Sequence, residues 1–354
     1  MENVVTPDFW SGKRVFITGH TGFKGSWLSF LLAGLGAKVA GYALPPATDP
    51  NLFELLDVKD CVASQFGDVR DLSGLRNAMT AADPQIVFHL AAQALVREGY
   101  AEPVTTFETN VIGTVNTLEA ARHLSGLRSL VVITSDKCYA NDGRTVGYRE
   151  DDRLGGDDPY SGSKACAEIV TATYKKSFFT SSLCNVATAR AGNVIGGGDW
   201  SQDRLVPDIV RALIGKRSLV LRNPSATRPW QHVLEPLVGY CTLAECLYAD
   251  AQYAQAWNFG PSDDSTATVA ELVEWMCDAW NGALPCEVDT TPQPAESEHL
   301  TLTATKARHR LGWSSVLSSR ETIDWTVEWY KALNSGHSPK TVTMQQIERY
   351  LSQC

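Results

Sequence analysis

Tyr160 and Lys164, in Tyr160-Ser161-Gly162-Ser163-Lys164, are spaced to act as one acid–base centre. On a helix, positions i and i+4 share a face. An ammonium beside the tyrosine hydroxyl would favour phenolate and lower the tyrosine pKa towards neutrality. Such a phenolate can take the proton of a sugar hydroxyl while hydride leaves the same carbon. A second group is Thr134-Ser135-Asp136-Lys137, after the apolar run Leu130–Thr134. Ser135 can share a hydrogen bond with the hydroxyl that Tyr160 deprotonates. Asp136 and Lys137 are an adjacent acid–base pair, although taken alone they read more readily as a solvated turn with a surface charge pair.

The glycine turn Thr18-Gly19-His20-Thr21-Gly22-Phe23-Lys24-Gly25 adds weight to both groups. Its glycines follow a strand and open a helix, in the spacing G-x-x-G-x-x-G. Gly19 suits a tight turn, Gly22 lets backbone approach a pyrophosphate, and Gly25 lets helix and strand pack closely. The helix N-terminus then offers free N–H groups to the phosphates. Phe23 and Lys24 belong to the same turn. His20 either crowds the pyrophosphate, donates to it, or points to solvent. The second strand ends Gly41-Tyr42-Ala43-Leu44-Pro45, with neither an acid for the adenosine ribose nor an arginine for a 2′-phosphate. These residues therefore leave NAD against NADP open. Asp68, in Gly67-Asp68-Val69, either binds the adenine edge or caps the helix starting near Leu72.

These groups need a parallel sheet to carry them. Arg14–Thr18, Ala37–Tyr42, Gln85–Leu90 and Leu130–Thr134 read as buried strands, with helices at Gly25–Leu35 and roughly Val104–Leu124 between them. Strands alternating with helices imply βαβ units. The expected fold is α/β, a Rossmann-type doubly wound parallel sheet with a smaller C-terminal α/β lobe. The dinucleotide domain is expected over residues 1–191, with a returning segment at about 233–261. The substrate lobe is expected over 192–232 and 262–354, with shorter and less regular elements.

Composition excludes several classes. The 354 residues carry 31 Lys+Arg against 40 Asp+Glu, a net charge of −9, which argues against nucleic acid as a partner. With 20% charged and 44% apolar residues, the chain is ordinary globular material. No apolar run approaches ~18 residues, so no membrane span is expected. Nine scattered cysteines without a C-x-x-C pair read as free thiols in a reducing cytoplasm, and no histidine cluster points to a metal. Without a basic region and apolar stretch, the N-terminus does not read as a signal peptide.

Taken together, these features resemble the extended short-chain dehydrogenase/reductase family, from Gly19 to Leu311-Gly312-Trp313. Leu90, Ala91, Ala92 and Gln93 are similar to the family's strand-end segment beside the nicotinamide ribose, and Asn110 to its helix asparagine. Ser135-Asp136 followed by Tyr160-x-x-x-Lys164 resembles the nucleotide-sugar 4,6-dehydratases. The blocks Gly192-Asn193-Val194-Ile195-Gly196-Gly197-Gly198-Asp199-Trp200 and Arg228-Pro229-Trp230-Gln231-His232-Val233 resemble the branch acting on CDP-glucose. The resemblance implies NAD as cofactor, bound by Gly19, His20, Gly22, Phe23, Lys24, Gly25, Asp68, Val69, the 90–93 segment, Asn110, Tyr160 and Lys164. It implies Ser135, Asp136, Lys137, Tyr160 and Lys164 as catalytic groups. Lys137 stands where most relatives carry the glutamate that removes the C5 proton. Asn193, Arg204, Arg228 and Glu296 are implied for the substrate. Trp200, Trp230 and Trp313 are either base-stacking or core.

A homodimer, or a tetramer, is implied through helices near Val104–Leu124 and Ser161–Lys176. The stripe Val111, Val115, Leu118 and Ala121 fits either such an interface or an internal face. The competing readings are a dehydratase for another nucleotide, a 4-epimerase, and a non-catalytic dinucleotide-binding regulator.

Overall fold

The computed structural model describes residues 5–180, 183–261, 266–289, 291 and 300–354. Seven strands form the central sheet: β1 Arg14–Thr18, β2 Lys38–Ala43, β3 Val62–Phe66, β4 Ile86–His89, β5 Ser129–Ile133, β6 Asn185–Ala191 and β7 Ala256–Phe259. Their order is β7-β6-β5-β4-β1-β2-β3, and all pairs are parallel. The order reverses between β1 and β4, which is where doubly wound sheets bind ligands.

Alternation along the strands explains the two layers. Val15, Ile17, Ile86, Phe88, Val131 and Ile133 pack into one buried cluster with Trp27 and Leu28. Phe16, Val87, Leu130 and Val132 pack into the other, with Leu75, Met79 and Leu118. Successive side chains point to opposite faces, and both faces are covered by helices.

Several expectations change. The helix expected over 104–124 is three pieces: Pro103–Phe107, one π-helical turn at Glu108–Ile112, and Gly113–Ala121. π-turns inside helices recur at functional sites, and this one carries Asn110. Leu118 and Ala121 join the inner cluster, so their part of the stripe faces inward. The C-terminal region is not short in its elements. Helices span Leu234–Ala249, Ser319–Asn334 and Pro339–Leu351. Their tryptophans and tyrosines bury against the sheet cluster, which makes long helices worthwhile there. All nine cysteines are free, and no described helix is long and apolar enough to cross a membrane.

Candidate active site

The dinucleotide end is built from backbone. Gly19 has φ +79°, and a Cβ there would lie 2.7 Å from the Ala91 amide nitrogen. A Cβ on Gly25 would overlap the Gly19 carbonyl oxygen. Gly22 caps the Phe23–Gly34 helix without a side-chain hydrogen bond, and this glycine is exposed. The turn is therefore packed backbone against backbone, with no room for a side chain at Gly19 or Gly25, while the helix N-terminus stays open at Gly22. This fits a pyrophosphate.

The 90–93 segment closes the other side. Asn110 Nδ2 donates to the Gln93 carbonyl at 2.9 Å and to Ser163 Oγ at 2.8 Å, and its Oδ1 accepts from Gln93 N–H at 2.8 Å. One buried amide thus ties the strand-end segment to the helix carrying Tyr160. Ala91 N–H donates to Thr18 Oγ1 at 3.2 Å. Val69 is buried, and its carbonyl accepts from Asn116 Nδ2 at 2.9 Å.

Three residues of the glycine turn and its surroundings depart from expectation. His20 does not reach solvent: Nε2 and Ser64 Oγ are hydrogen-bonded at 2.6 Å, and the ring packs on Gly41 and Phe53. Burial lowers its pKa to about 4. Asp68 does not cap the helix at Leu72; Asp71 does, accepting from Ser73 N–H. Asp68 instead accepts from Arg70 Nε and Nη2 at 2.9 and 2.6 Å. Lys24 sends its side chain into the neighbouring cleft. Burial, followed by Arg204 and Lys164, lowers its pKa to about 7, while Asp136 and Asp199 pull the other way.

That cleft, of about 470 Å3, is lined by Ser135, Asp136, Lys137, Tyr160, Asn193 and Arg228, among others. Ser135 lies two residues past β5 and caps the short turn Asp136–Cys138. Its Oγ donates to Asp136 Oδ1 at 2.8 Å, and Lys137 N–H donates to the same carboxylate oxygen at 2.9 Å. Burial nevertheless raises the Asp136 pKa, with Lys137 first among the opposing influences. A carboxyl that favours its proton is suited to act as an acid.

Tyr160 and Lys164 sit on the Pro159–Tyr174 helix, started by Asp158 as N-cap. The expected lowering of the tyrosine pKa does not occur here. Burial raises it to about 12, against the Ser135 hydroxyl and the charge of Arg204. Lys164 Nζ donates to the Ile133 carbonyl at 3.3 Å, and burial lowers its pKa to about 8. The i,i+4 spacing put both residues on one face, but the ammonium is directed to the end of β5. Beneath them lies a buried ion pair. Arg190 donates to Glu168 from Nε and Nη2 at 2.9 and 2.8 Å, and Thr134 and Thr188 donate to the same carboxylate.

Asn193, Arg204 and Arg228 all line the cleft. Arg228 Nη1 donates to the Thr227 carbonyl at 3.0 Å. Arg204 Nη1 instead meets Asp199 Oδ2 at 3.1 Å. Glu296 lies outside the described residues. The three tryptophans are packed: Trp313 Nε1 donates to the Glu235 carbonyl, Trp230 Nε1 to the Ala267 carbonyl, and Trp200 sits edge-on to Tyr330. The sequence reading missed Asp199 as a site residue, although it lies inside a block already singled out. It also missed Arg97 and Arg222, which line the cleft and share Asp203 at 3.4 and 3.5 Å. No motif surrounds either arginine.

The reversed sheet order, the glycine cradle and the Tyr160–Lys164 helix define the class as an extended short-chain dehydrogenase/reductase. The family described as GDP-mannose 4,6 dehydratase matches residues 16–326, and the chain belongs to it. Over 355 aligned residues it is 45% identical to a CDP-glucose 4,6-dehydratase of Salmonella typhimurium, covering 99% of each chain. The fold is shared with a dTDP-glucose 4,6-dehydratase of Bacillus anthracis solved in complex with NAD (TM-score 0.76, 22% identity, 93% of this chain and 100% of that one). It is also shared with a UDP-glucuronic acid 4-epimerase of Bacillus cereus (TM-score 0.79, 19% identity, 90% and 99%).

Proposed function

We propose that the chain is an NAD-dependent CDP-glucose 4,6-dehydratase, converting CDP-glucose to CDP-4-dehydro-6-deoxyglucose and water. The observation that carries this is the full-length 45% identity to the Salmonella typhimurium enzyme, combined with a cleft that brings Ser135, Asp136, Lys137 and Tyr160 together. NAD, when bound, supplies the site that accepts a hydride from C4 and returns it to C6. The glycine cradle and Asn110 would hold it.

The residues divide the remaining work. Tyr160, with Ser135 beside it, takes the proton of the 4-hydroxyl. The C4 ketone then acidifies the C5 proton, which passes to a base at Lys137. Asp136 gives its proton to the departing 6-hydroxyl, and water leaves. The C5 proton returns as hydride arrives at C6. A lysine base must be neutral when it takes the proton. Asn193 and Arg228 would hold the diphosphate, arginine being suited to forked phosphate contacts.

Val104, Phe107, Ile112 and Ile169 are exposed apolar residues of the helices expected to pair in a dimer. They support a second copy as the oligomeric partner, and light scattering of the pure protein tests it. The function is tested by incubating the protein with CDP-glucose and NAD and weighing the nucleotide sugar. Loss of one water without lasting NADH is expected. An unchanged mass would move the reading to a 4-epimerase or to another nucleotide.

A further inference from the structure

We infer that the buried Glu168–Arg190 ion pair positions the catalytic turn Ser135–Lys137 from both of its ends, the Thr134 anchor serving hydride removal and the Tyr139 anchor serving water loss. The inference rests on the dehydratase reading above and deepens it.

Hydrogen bonds from the pair run to both flanks of the turn. Thr134 immediately precedes Ser135, and Tyr139 follows Lys137 by two residues. Lys164 and Glu168, one turn apart on the helix of Tyr160, both reach the end of β5. Lys164 Nζ donates to the Ile133 carbonyl at 3.3 Å, and Thr134 Oγ1 donates to Glu168 Oε1. The same carboxylate oxygen accepts from Arg190 Nε at 2.9 Å. Glu168 Oε2 accepts from Thr188 Oγ1 and from Arg190 Nη2, each at 2.8 Å. The end of β5 and an arginine fork from β6 thus meet on one carboxylate of the tyrosine helix. Arg190 Nη1 points the other way. It donates to the Tyr139 hydroxyl at 2.6 Å and to the Glu150 carbonyl at 3.1 Å. The Tyr139 hydroxyl donates onward to Asn258 Oδ1, on β7, at 2.8 Å.

Both charges are buried. A buried ion pair adds little stability over apolar residues of the same volume, because desolvation offsets the attraction. What it adds is direction. Backbone hydrogen bonds already set the path of the turn: Thr134 N–H donates to the Ala189 carbonyl and Gly155 N–H to the Cys138 carbonyl, both at 2.9 Å. These tie the turn to β6 and to the 153–155 segment, not to the tyrosine helix. The Thr134–Glu168 hydrogen bond makes that link, and so sets Ser135 against Tyr160. The Tyr139 anchor lies at the other end, behind Asp136 and Lys137. The two hydroxyls therefore govern different steps. Ser135 and Tyr160 act while hydride leaves C4, whereas Asp136 and Lys137 act while water is lost. A misplacement of about 1 Å can slow a step about 10²-fold, and one lost hydroxyl with the backbone bonds intact should cost less.

Replacing Glu168 or Arg190 would strand the other charge in the interior, so the test uses the neutral hydroxyls at the two ends of the network. Thr134→Val, Thr134→Ser and Tyr139→Phe are compared with the native protein in quenched single turnovers of CDP-glucose with NAD. The mass of the nucleotide sugar separates the steps: loss of two hydrogens marks the 4-keto intermediate, and loss of one water marks the product. The inference expects Thr134→Val to oxidise CDP-glucose about tenfold more slowly, Thr134→Ser to recover to within about twofold, and CDP affinity to stay within about twofold in both. Tyr139→Phe should oxidise at close to the native rate but convert the intermediate to product about tenfold more slowly. A native oxidation rate in Thr134→Val would overturn the inference. So would equal slowing of both steps in Thr134→Val and Tyr139→Phe in proportion to a lowered Tm, the mark of a structural role alone. Should Thr134→Val not fold, a Tyr139→Phe enzyme with both steps native, or both slowed alike, would overturn it equally. A native protein that binds CDP but never changes the mass of CDP-glucose contradicts the dehydratase reading instead, before any variant is made.

Discussion

The two ends of the site are held by different physics. At the dinucleotide end, Gly19 and Gly25 leave room that no Cβ would allow, and Asn110 joins two segments through their backbone and one hydroxyl. At the sugar end, Lys24, Asp136, Asp199, Arg204 and Tyr160 line one cleft, where burial shifts the pKa values of Lys24, Asp136 and Tyr160. The first end should therefore be sensitive to an added atom in its turn, and the second to a change of charge.

Substitutions can break this contrast, and the largest effect is expected at the turn. Gly25→Ala should abolish NAD binding, measured by fluorescence titration with NADH, while CDP affinity is kept. Loss of both affinities would mean that the ends are not independent. Tyr160→Phe should reduce turnover by roughly 10³, within the range for a general acid–base group, with NAD and CDP affinities unchanged. Lys137→Ala should still form NADH in a single turnover but lose water about a hundredfold more slowly. An unchanged overall rate in that variant removes Lys137 as the C5 base.

A smaller loss, about tenfold, is expected for Asn110→Ala, because it loosens Gln93 against the tyrosine helix without touching a reacting atom. The smallest effect falls on stability. Glu235 is buried, accepts from the Tyr350 hydroxyl and from Val316 and Leu317 N–H, and burial raises its pKa to about 7. A carboxyl raised in the folded state stabilises most below its unfolded pKa, and that contribution is lost as pH rises through about 7. The thermal stability of the native protein should therefore fall between pH 4.5 and 7 relative to Glu235→Gln. Parallel profiles would show that the C-terminal clasp does not titrate.

The same contrast explains what was legible in the sequence. Gly19, Gly22 and Gly25 encode a backbone path, and β1, β2, β4 and β5 lie within a residue of their expected bounds, because a covered strand must be apolar on both faces. The direction of a long side chain is set by what approaches it from elsewhere in the chain. Local spacing placed Lys164 below Tyr160, but the Ile133 carbonyl took its ammonium. Lys24 was read with its turn, and yet it reaches the cleft. Arg204 lines the cleft as expected, but its ion pair with Asp199 depends on a turn pinned by Trp27 and Tyr330, which local spacing does not show. The long C-terminal helices were missed for a related reason: their tryptophans and tyrosines serve a core formed with residues far upstream.

The central claim is an internal hydride transfer coupled to water loss, and CDP-glucose deuterated at C4 tests it most directly. The product's nuclear magnetic resonance spectrum should show the deuterium on the new methyl group at C6, with no lasting NADH absorbance. Deuterium that stays at C4 in a product of unchanged mass would contradict the account.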